Sequence, residues 1–402
     1  MLLRQRMNVL FYTTFKVSPT KGGTERITIS VANGLKNNYG CHCYSAYSID
    51  ADTPQDSCFE EEFHVDGKHM IDKLQHTIRE KPIDVVLDQG EFSLVKPLKE
   101  AIKDTNCKVV MAHHFQPRWE LNFGRFNSYL NNFLEAPDLL RAGKRFLRMM
   151  LYPYYRHESI KLLPQKYHDA YAYADAIVLL SKGFKQGYME YGNIKDDSKF
   201  VFIPNSLSFE EFLPKSEIAN KKHYVLVVSR MEETQKRISL AIKIWNLVKQ
   251  QPESKGWTMN IIGHGEDLPL YKKMVKQMNI RNIHFLGRQV PNDYYKESSI
   301  FMLTSKSEGW GLTLTESQQN GCVPLAFNSY ESLQDIIEDG TDGFIIPEGD
   351  INGYVDKLLW LMSHDEERKQ IAGRCIDRSH RFENKKVVAM WYNLFSKLTE
   401  KG

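Results

Sequence analysis

Two carboxylates, Glu308 and Glu316, stand eight positions apart on either side of a loop that reads Gly-Trp-Gly. The apolar run over 300–304 predicts a buried strand before the loop, and a helix is predicted over 313–320 after it. Backbone N–H groups and the positive end of that helix would meet at the carboxyl end of the strand, which suits a phosphate group. Two simpler interpretations stay open: Glu316 fits a helix-capping box that starts at Thr313, and Glu308 could be a solvated loop acid.

Two cations, Arg230 and Lys236, could supply the positive charge that a diphosphate needs. Arg230 ends a strand predicted over 224–230, and Lys236 stands just before an amphipathic helix predicted over 239–249. Arginine offers a flat fork of donors and lysine a point charge, so the pair beside a helix amino end can clamp a diphosphate. The alternative is that both are loose surface cations.

The chain opens with a strand predicted over 7–13, followed by Gly22, Gly23 and a helix over 27–36. This order predicts the start of a βαβ unit. The dinucleotide fingerprint Gly-x-Gly-x-x-Gly is absent, so the sequence gives no support for NAD binding. The two glycines allow close approach of the backbone to something bound at the helix start, or they form a simple tight turn.

Two adjacent histidines, His113 and His114, follow a strand predicted over 108–112. The carboxyl end of a parallel strand is where such sheets bind ligands, and histidine suits hydrogen bonding or proton transfer near neutral pH. Adjacent side chains face opposite ways, so only one of the two is expected in a site. A plain surface loop is the alternative.

Predicted strands and helices alternate through both halves of the 402-residue chain, which is long enough for two domains. This alternation predicts an α/β fold with doubly wound parallel sheets. The polar stretch over 206–222 contains Pro214 and is the predicted linker. The predicted domains therefore cover 1–205 and 223–381.

Composition is typical of a soluble globular protein, with 42% hydrophobic residues, 26% charged residues and a net charge of +3. That charge is too small to indicate nucleic acid binding, and no nucleic acid motif is present. The six cysteines form no Cys-x-x-Cys pair and no zinc spacing, so a reduced, cytosolic protein is expected. No signal peptide is recognised at the start, and no apolar run is long enough to span a membrane.

The string over 305–324 resembles the signature of the retaining family-4 glycosyltransferases, also described as glycosyl transferases group 1. There two glutamates, spaced Glu-x7-Glu, begin in a Ser-Glu-Gly loop and end on a helix that leads to glycine and proline. The segment Gly-Gly-Thr-Glu-Arg over 22–26 resembles a Gly-Gly-Ala-Glu-Arg loop in the acceptor-binding domain of the same enzymes. Segments around Arg230, Gly263 and Arg288 also resemble the family.

The resemblance implies the GT-B fold, in which two Rossmann-like domains face each other across a cleft. It also implies a terminal helix, over about 382–402, that returns to the first domain. The second domain would bind a nucleotide-sugar, expected to be UDP-linked, and the first would bind the acceptor. In the second domain Glu316 would accept the ribose hydroxyls and Glu308 would contact the donor sugar.

The implied site residues fall into three groups. The donor-binding residues are Arg230, Lys236, Gly263, Gly309, Gly311, Leu312, Thr313 and Glu316. The acceptor-side loop contains Gly22, Gly23 and Thr24. The catalytic set is Arg230, Lys236, Glu308 and one of the two histidines, for which strand offset favours His114 over His113.

The expected function is therefore transfer of a sugar, with retention, to a glycan or lipid-linked acceptor in polysaccharide or glycoconjugate synthesis. Neither a cofactor nor a metal is expected, because the cations do the work of a metal. Asp50-Ala-Asp52 matches the metal-binding Asp-x-Asp of another transferase fold and is interpreted as a coincidence. A glycan phosphorylase, a nucleotide-sugar epimerase and a non-catalytic sugar-binding protein remain alternatives.

The stretch over 141–156 interleaves cations with aromatic and long apolar side chains. It could lie on an anionic membrane surface, line a groove for a long acceptor, or form a helical insertion packed on its own domain. The first interpretation would place the enzyme in the cytoplasm as a peripheral protein of the inner membrane face.

Overall fold

The computed structural model describes residues 6–18, 22–50, 58–122, 143, 146–147 and 149–400. The chain forms two compact units. The first contains Met1–Ser18, Leu35–Phe202 and Asn393–Gly402, and the second contains Pro19–Gly34 and Ile203–Tyr392. The predicted linker over 206–222 falls within the second unit, where the side chain of Gln319 donates to the carbonyls of Phe209 and Glu211.

A parallel sheet forms the centre of the first unit, and its strand order is β3-β2-β1-β4-β5-β6-β7. Its strands are β1 (Asn8–Phe15), β2 (His42–Ile49), β3 (Glu62–His64), β4 (Val85–Asp88), β5 (Lys108–His113), β6 (Ala176–Leu179) and β7 (Phe200–Phe202). The helices among its described residues are α1 (Gly23–Tyr39), which begins in the second unit, α2 (Met70–Glu80), α3 (Phe92–Ala101), α4 (Tyr152–Tyr173) and α5 (Phe184–Tyr191). Strands β4 and β6 are buried along their whole length, as expected of parallel strands covered on both faces.

The second unit is built on a parallel sheet with strand order β10-β9-β8-β11-β12-β13. The strands are β8 (Lys222–Val228), β9 (Thr258–Ile262), β10 (Ile283–Gly287), β11 (Ser298–Leu303), β12 (Val323–Phe327) and β13 (Phe344–Ile346). In chain order this arrangement is the 3-2-1-4-5-6 sheet of the Rossmann fold. The predicted α/β fold of two doubly wound units is confirmed.

The remaining helices also belong to the second unit, apart from the end of the last one. They are α6 (Glu233–Lys236), α7 (Ile238–Val248), α8 (Leu268–Gln277), α9 (Asn292–Glu297), α10 (Leu312–Gln319), α11 (Leu333–Ile336), α12 (Ile351–Ser363), α13 (Asp365–Ser379) and α14 (Asn384–Thr399). Large buried side chains between the sheet and these helices, including Trp245, Trp257, Tyr271 and Tyr354, form a continuous core. This core fixes the strand ends from which the loops of the site emerge.

The six cysteines are thiols and not disulfides, and five of them are buried while Cys58 is half-buried. Burial raises the pKa of Cys41 and of Cys58 to about 11. It raises the pKa of Cys107 and of Cys322 to about 12. The thiols therefore behave as small apolar groups that fill the cores.

Some predicted boundaries were wrong. Helix α1 begins at Gly23 and not near residue 27, because the carbonyl of Gly22 accepts the first helical hydrogen bond from the N–H of Arg26. Thr24 is therefore a helical residue, not a loop residue. The stretch over 141–156, for which a helical insertion was one of the predicted alternatives, runs into the long helix α4 at Tyr152.

Two predictions fall on residues that the structure does not describe. Asp52 lies outside the described residues, as do the cations Arg141, Lys144, Arg145 and Arg148. Among the apolar and aromatic side chains of the same stretch that are described, five are 39% to 61% exposed: Phe146, Leu147, Met150, Leu151 and Tyr154. No helix in the described part of the chain combines the length and apolar character needed to cross a lipid bilayer.

Candidate functional site

The loops that follow β8 and β11 leave the second sheet at the point where its strand order reverses. Strand β8 has β9 on one side and β11 on the other. The chain therefore leaves β8 toward one edge of the sheet and leaves β11 toward the opposite edge. Ligands of open α/β sheets bind in the crevice at the carboxyl ends of such strands. Arg230 follows β8, and the glycine loop over 304–311 follows β11. Both halves of the predicted donor site therefore leave the sheet at its switch point.

Three consecutive residues, Gln235, Lys236 and Arg237, hold the start of the glycine loop. The side chain of Gln235 donates to the carbonyl of Ser307 at 3.0 Å. The guanidinium of Arg237 donates to the carbonyl of Thr304 at 2.7 Å and to that of Ser305 at 3.1 Å. The loop is thus fixed by side chains that leave helix α6 and the residue after it.

The predicted phosphate-binding lysine and the predicted sugar-binding glutamate form an ion pair. The Nζ atom of Lys236 lies 2.6 Å from Oε1 of Glu308, and the two side chains are only 14% and 12% exposed. A charged lysine has three N–H donors, so two remain for a ligand. The pair places a cation and a carboxylate side by side at the mouth of the glycine loop.

Arg230 is exposed at the end of β8, and one of its Nη2 hydrogens bonds Oε1 of Gln235 at 3.0 Å. Two glycines in the loop after β9 lie against the backbone that carries it. A Cβ atom on Gly263 would lie 1.8 Å from the carbonyl oxygen of Ser229, and one on Gly265 would lie 2.4 Å from that of Met231. Gly263, predicted at the donor, therefore supports the Arg230 segment.

Helix α10 starts directly after the glycine loop, with Leu312 as its first residue and Thr313 as its second. Gly311 precedes it with a φ of 94°, a left-handed value that favours glycine. The helix cap is this glycine and not Thr313, so the capping-box interpretation of Glu316 is wrong. Gly309, predicted with Gly311 at the donor, is half-buried in the same loop.

Glu316 is 1% exposed, and both of its carboxylate oxygens have partners within the second unit. Oε1 lies 3.1 Å from Nη1 of Arg26, and Oε2 accepts a hydrogen bond from the hydroxyl of Tyr295 at 3.0 Å. Burial, followed by the charge of Glu316, raises the pKa of Tyr295 well above its usual value, so its hydroxyl stays a donor. The predicted ribose-binding carboxylate is therefore held in one orientation.

The segment after β12 fastens the far side of the glycine loop. Ser329 donates to the carbonyl of Ser305 at 2.7 Å, and Ser332 donates to that of Trp310 at 3.5 Å. Between them, the buried hydroxyl of Tyr330 and the indole N–H of Trp310 have no hydrogen-bond partner among the described residues. Buried polar groups are usually hydrogen-bonded, so two buried donors without a described partner beside one loop are unusual.

The two predicted histidines belong to the first unit and have different partners. Nε2 of His113 lies 2.9 Å from Oε1 of Glu120, and its ring packs edge-on against Tyr167. Nε2 of His114 is hydrogen-bonded to Oε1 of Gln89, in the loop after β4. Burial, followed by the neighbouring His113, lowers the pKa of His114 to about 4, so its ring is neutral at pH 7. Which histidine would contact a donor sugar stays a prediction.

The predicted acceptor-side glycines lie in the second unit, in the segment Pro19–Gly34. Gly23 approaches helix α10 closely, because a Cβ atom on it would lie 2.9 Å from Cδ1 of Leu312. Gly22 is exposed just before α1, and the carbonyl of Thr24 accepts a hydrogen bond from the hydroxyl of Thr28 at 2.9 Å. Their role toward an acceptor stays a prediction.

Four residues of this site were missed from the sequence: Arg26, Gln235, Arg237 and Tyr330. Gln235 and Arg237 flank the predicted Lys236, so the clustering of polar residues before α7 was a usable signal. Arg26 stands in the noticed Gly-Gly-Thr-Glu-Arg segment, but its partner is 290 residues away. The position of Tyr330 in the sequence, relative to the motifs, gave no indication that it belongs to the site.

The arrangement can bind a charged and hydroxylated ligand. Two cations and a helix amino end suit phosphate groups, whereas two carboxylates suit sugar hydroxyls. Among the described residues, no three His, Cys, Asp or Glu side chains are grouped so that they could hold a metal ion.

Comparisons with known proteins give matches to the region that contains this site. Residues 208–375 match the family model described as glycosyl transferases group 1. An uncharacterized glycosyltransferase of Haemophilus influenzae is 25% identical over 380 residues, which cover 92% of this chain and 95% of that protein. The poly(ribitol-phosphate) α-N-acetylglucosaminyltransferase of Staphylococcus aureus is 27% identical over 172 residues, 42% of this chain and 34% of that protein. This chain therefore spans about a third of the staphylococcal relative.

Solved structures show the fold. HepE from Anabaena, in complex with UDP-glucose, superposes with a TM-score of 0.71 at 15% identity, covering 98% of this chain and 100% of HepE. The two parallel sheets and this likeness define a protein of the GT-B fold class. Within this fold, residues 208–375 carry the match to the glycosyl transferases group 1 model, and the Haemophilus influenzae relative is itself named a glycosyltransferase.

Proposed function

We propose that this enzyme transfers a sugar from a UDP-linked donor to a glycan or lipid-linked acceptor, with retention of configuration and without a metal ion. The observation that carries the proposal is the Lys236–Glu308 pair, held beside the glycine loop at the switch point of the second sheet. A nucleotide-sugar needs a cation for its phosphates and an acceptor for its sugar hydroxyls at adjacent positions. The pair offers both.

The diphosphate would be bound by Arg230, by Lys236 and by the amino end of α10. Arg230 keeps most of its N–H donors free of protein partners in the described structure, and Lys236 keeps two. When the anomeric bond breaks, negative charge builds on the departing diphosphate. Donors that are already in place stabilise this charge, and losing one typically costs roughly 10²–10³ in rate.

The two carboxylates would bind the hydroxylated parts of the donor. Glu308 would accept hydrogen bonds from the sugar, because its second oxygen is not used by Lys236. Glu316 would accept the ribose hydroxyls on the lone pairs that Arg26 and Tyr295 leave open. Retention would then follow from attack on the same face that the diphosphate leaves, with no protein nucleophile assigned.

The relatives support the donor and acceptor classes. HepE was solved with UDP-glucose, and the staphylococcal relative is named for transfer to poly(ribitol-phosphate). A further relative, from Escherichia coli, is named a lipopolysaccharide 1,6-galactosyltransferase. Polymers and lipid-linked glycans of this kind are the acceptors that we propose.

We place the enzyme at the cytoplasmic face of a membrane, as a peripheral protein. The support is five exposed side chains in the stretch whose sequence also carries cations: Phe146, Leu147, Met150, Leu151 and Tyr154. Side chains of this kind partition into a membrane interface when cations hold the protein near anionic lipids.

A nucleotide-sugar screen tests the proposal. Thermal shift would identify the nucleotide-sugar that stabilises the protein, and nucleotide release would then be measured with and without trial glycan acceptors, in EDTA. We expect acceptor-dependent release of UDP, unaffected by EDTA, and a product with the anomeric configuration of the donor.

Other outcomes separate the alternatives. Donor consumption without an acceptor would indicate an epimerase. Use of a sugar phosphate in place of the nucleotide-sugar would indicate a phosphorylase. Donor binding without nucleotide release would indicate a non-catalytic sugar-binding protein. Loss of activity in EDTA that manganese restores would overturn the metal-free mechanism and reopen the Asp50-Ala-Asp52 match.

A further inference from the structure

The first turn of α1 lies along the first turn of α10, within the second unit. Gly23 contacts Leu312 so closely that a Cβ atom on the glycine would lie 2.9 Å from Cδ1 of the leucine. One turn further along both helices, Arg26 reaches Glu316, with 3.1 Å between Nη1 and Oε1. Two contacts in the same register join the Gly-Gly-Thr-Glu-Arg segment to the helix of the donor site.

Glu316 needs a cation, because a buried carboxylate is costly unless it is paired and hydrogen-bonded. Its side chain is 1% exposed, and among the cations that the structure describes Arg26 is the one within ion-pair distance. The hydroxyl of Tyr295 holds the other oxygen at 3.0 Å. Arg26 itself is 38% exposed, so it fixes the buried carboxylate from the solvent side.

A carboxylate offers about four lone-pair positions on its two oxygens. Arg26 uses one on Oε1 of Glu316 and Tyr295 uses one on Oε2. Each oxygen therefore keeps room for one more donor, which matches the two neighbouring hydroxyls of a ribose. By this count of lone pairs, Arg26 does not have to leave Glu316 for the ribose hydroxyls to donate to it.

We infer that Arg26 is a positioning residue for nucleoside recognition: it holds Glu316 so that the carboxylate accepts the ribose cis-diol. This inference rests on the proposed function, in which Glu316 binds the ribose. It moves Arg26, and with it the segment over 22–26, from the acceptor side to the donor side. The chemical group recognised is the vicinal diol, not the base or the sugar that is transferred.

The test compares UDP with 2′,3′-dideoxy-UDP by isothermal titration calorimetry. Wild-type protein should bind the dideoxy nucleotide roughly 10-fold or more weakly, as expected for lost hydrogen bonds to a charged group. In Arg26→Gln that ratio should fall below about threefold, mainly because UDP itself binds more weakly, and Arg26→Lys should retain part of it. A merely structural role would weaken both nucleotides equally and leave the ratio unchanged.

Two further variants secure the result. Tyr295→Phe leaves Arg26 in place and removes the other hydrogen bond to Glu316, so it should also reduce the ratio, and it serves if Arg26→Gln fails to fold. Arg79→Gln removes an exposed arginine that pairs with Asp104 on the first unit, and it should leave the ratio as in wild type.

The failures are distinguishable. A ratio that stays above 10 in folded Arg26→Gln, or in Tyr295→Phe if Arg26→Gln does not fold, overturns the role of Arg26 but leaves the proposed function intact. Wild-type protein that binds UDP with no preference for the diol overturns the assignment of Glu316 and this inference together. Wild-type protein that binds no UDP overturns the proposed donor, and this inference with it.

Discussion

At the scale of single residues, the ion pair of Lys236 and Glu308 joins two proposed roles. The proposed phosphate ligand and the proposed sugar ligand lie 2.6 Å apart, and both side chains are mostly buried. Removing the lysine would take away the proposed phosphate ligand and would also leave the carboxylate without its partner. Its effect should therefore exceed that of losing one surface charge.

We expect Lys236→Ala and Arg230→Ala each to weaken donor binding or turnover by about 1.5–3 kcal/mol, the range for hydrogen bonds to charged groups. Steady-state kinetics with the identified donor measure this. Lys215→Ala is the matched control, because Lys215 forms an exposed ion pair with Asp377 at the same 2.6 Å distance. Wild-type donor turnover in Lys236→Ala would remove the clamp from the mechanism.

Two buried tyrosines differ in what their hydroxyls do. The hydroxyl of Tyr354 donates to the carbonyl of Leu325 at 2.8 Å, whereas that of Tyr330 has no partner among the described residues. Tyr354→Phe should lower the free energy of unfolding by about 1–2 kcal/mol, and Tyr330→Phe should leave it unchanged or raise it. Urea denaturation of the two variants side by side measures the difference, and equal losses would contradict it.

The buried ring of His114 makes the first unit sensitive to acid. Its pKa in the folded chain is about 4, below the usual value near 6.5, because burial disfavours the charged form. Between those values the unfolded chain binds more protons, so stability is complete above about pH 6.5 and falls as the pH is lowered toward 4. The loss attributable to this group is up to about 3 kcal/mol.

The variant His114→Gln should flatten that part of the pH dependence of unfolding, measured by urea denaturation between pH 4.5 and 7.5. His69→Gln is the control, because His69 is an exposed histidine outside the cores. A slope in His114→Gln equal to that of wild type would show that other groups carry the acid sensitivity.

The predicted site residues of the second unit came from residue types at loop and strand ends together with the family resemblance, and most of them lie at the expected strand and helix ends. Arg230 and Lys236 follow β8, and Glu308 and Glu316 bracket the loop and helix after β11. The sequence did not indicate the role of Arg237, because its partners are backbone carbonyls 67 and 68 residues away. Backbone carbonyls exist at every position, so no pattern of residue types marks those that will be used.

At the scale of elements, the loops after β8 and β9 are fitted to each other through glycine. Gly263 has a φ of 143°, and a Cβ atom there would overlap the carbonyl of Ser229 at 1.8 Å. Gly287, at the end of β10, has a φ of 71°, and a Cβ atom there would lie in open space. Gly263 is therefore favoured both by its positive φ and by lack of space for a side chain, whereas Gly287 is favoured by its positive φ alone.

Gly263→Ala should therefore cost about 3 kcal/mol or more of folding stability, and it should weaken donor binding because the Arg230 segment must move. Gly287→Ala should cost only about 1–2 kcal/mol, the usual penalty of a left-handed residue. Thermal unfolding and donor titration of both variants measure these effects. Equal behaviour would mean that the loop after β8 adapts freely.

Helix positions followed from apolar periodicity, but their ends did not. Helix α1 begins four residues before the predicted start, since a Gly-Gly-Thr-Glu-Arg sequence has too few apolar residues to show a helical period. Helix α10 begins one residue early, at Leu312, because the left-handed Gly311 and not a threonine precedes it.

At the scale of the whole molecule, alternation of strands and helices predicted two doubly wound sheets, and both are present with their first strands in the interior. The grouping of residues 19–34 with the second unit could not be predicted. It depends on contacts between distant parts of the chain. A Cβ atom on Gly34 would lie 2.4 Å from Cγ2 of Val388, and Asn384 bonds the hydroxyl of Ser30.

Membrane association is a property of the whole molecule that the exposed side chains of 146–154 suggest. We expect salt-sensitive binding to vesicles that contain anionic lipid, since each cation near such a surface contributes about 1 kcal/mol. Replacement of Arg141, Lys144, Arg145 and Arg148 by glutamate should weaken it in a flotation assay. Circular dichroism would verify that the variant is folded.

The control for that assay makes the same change of net charge elsewhere. Lys255, Lys272, Lys273 and Lys276 are exposed in the second unit, and their replacement by glutamate should leave flotation much closer to wild type. Equal flotation of wild type and the 141–148 variant would exclude the membrane surface. It would leave the stretch as an acceptor groove or an insertion.

The buried thiols give the protein a practical property. Because burial raises the pKa of Cys41 and Cys58 to about 11 and that of Cys107 and Cys322 to about 12, almost none of these groups is a thiolate at neutral pH. Maleimide reagents attack thiolates, so they should pass over the native cysteines of the folded enzyme. A single cysteine introduced on the surface could then carry a fluorescent reporter without prior removal of the six natural ones.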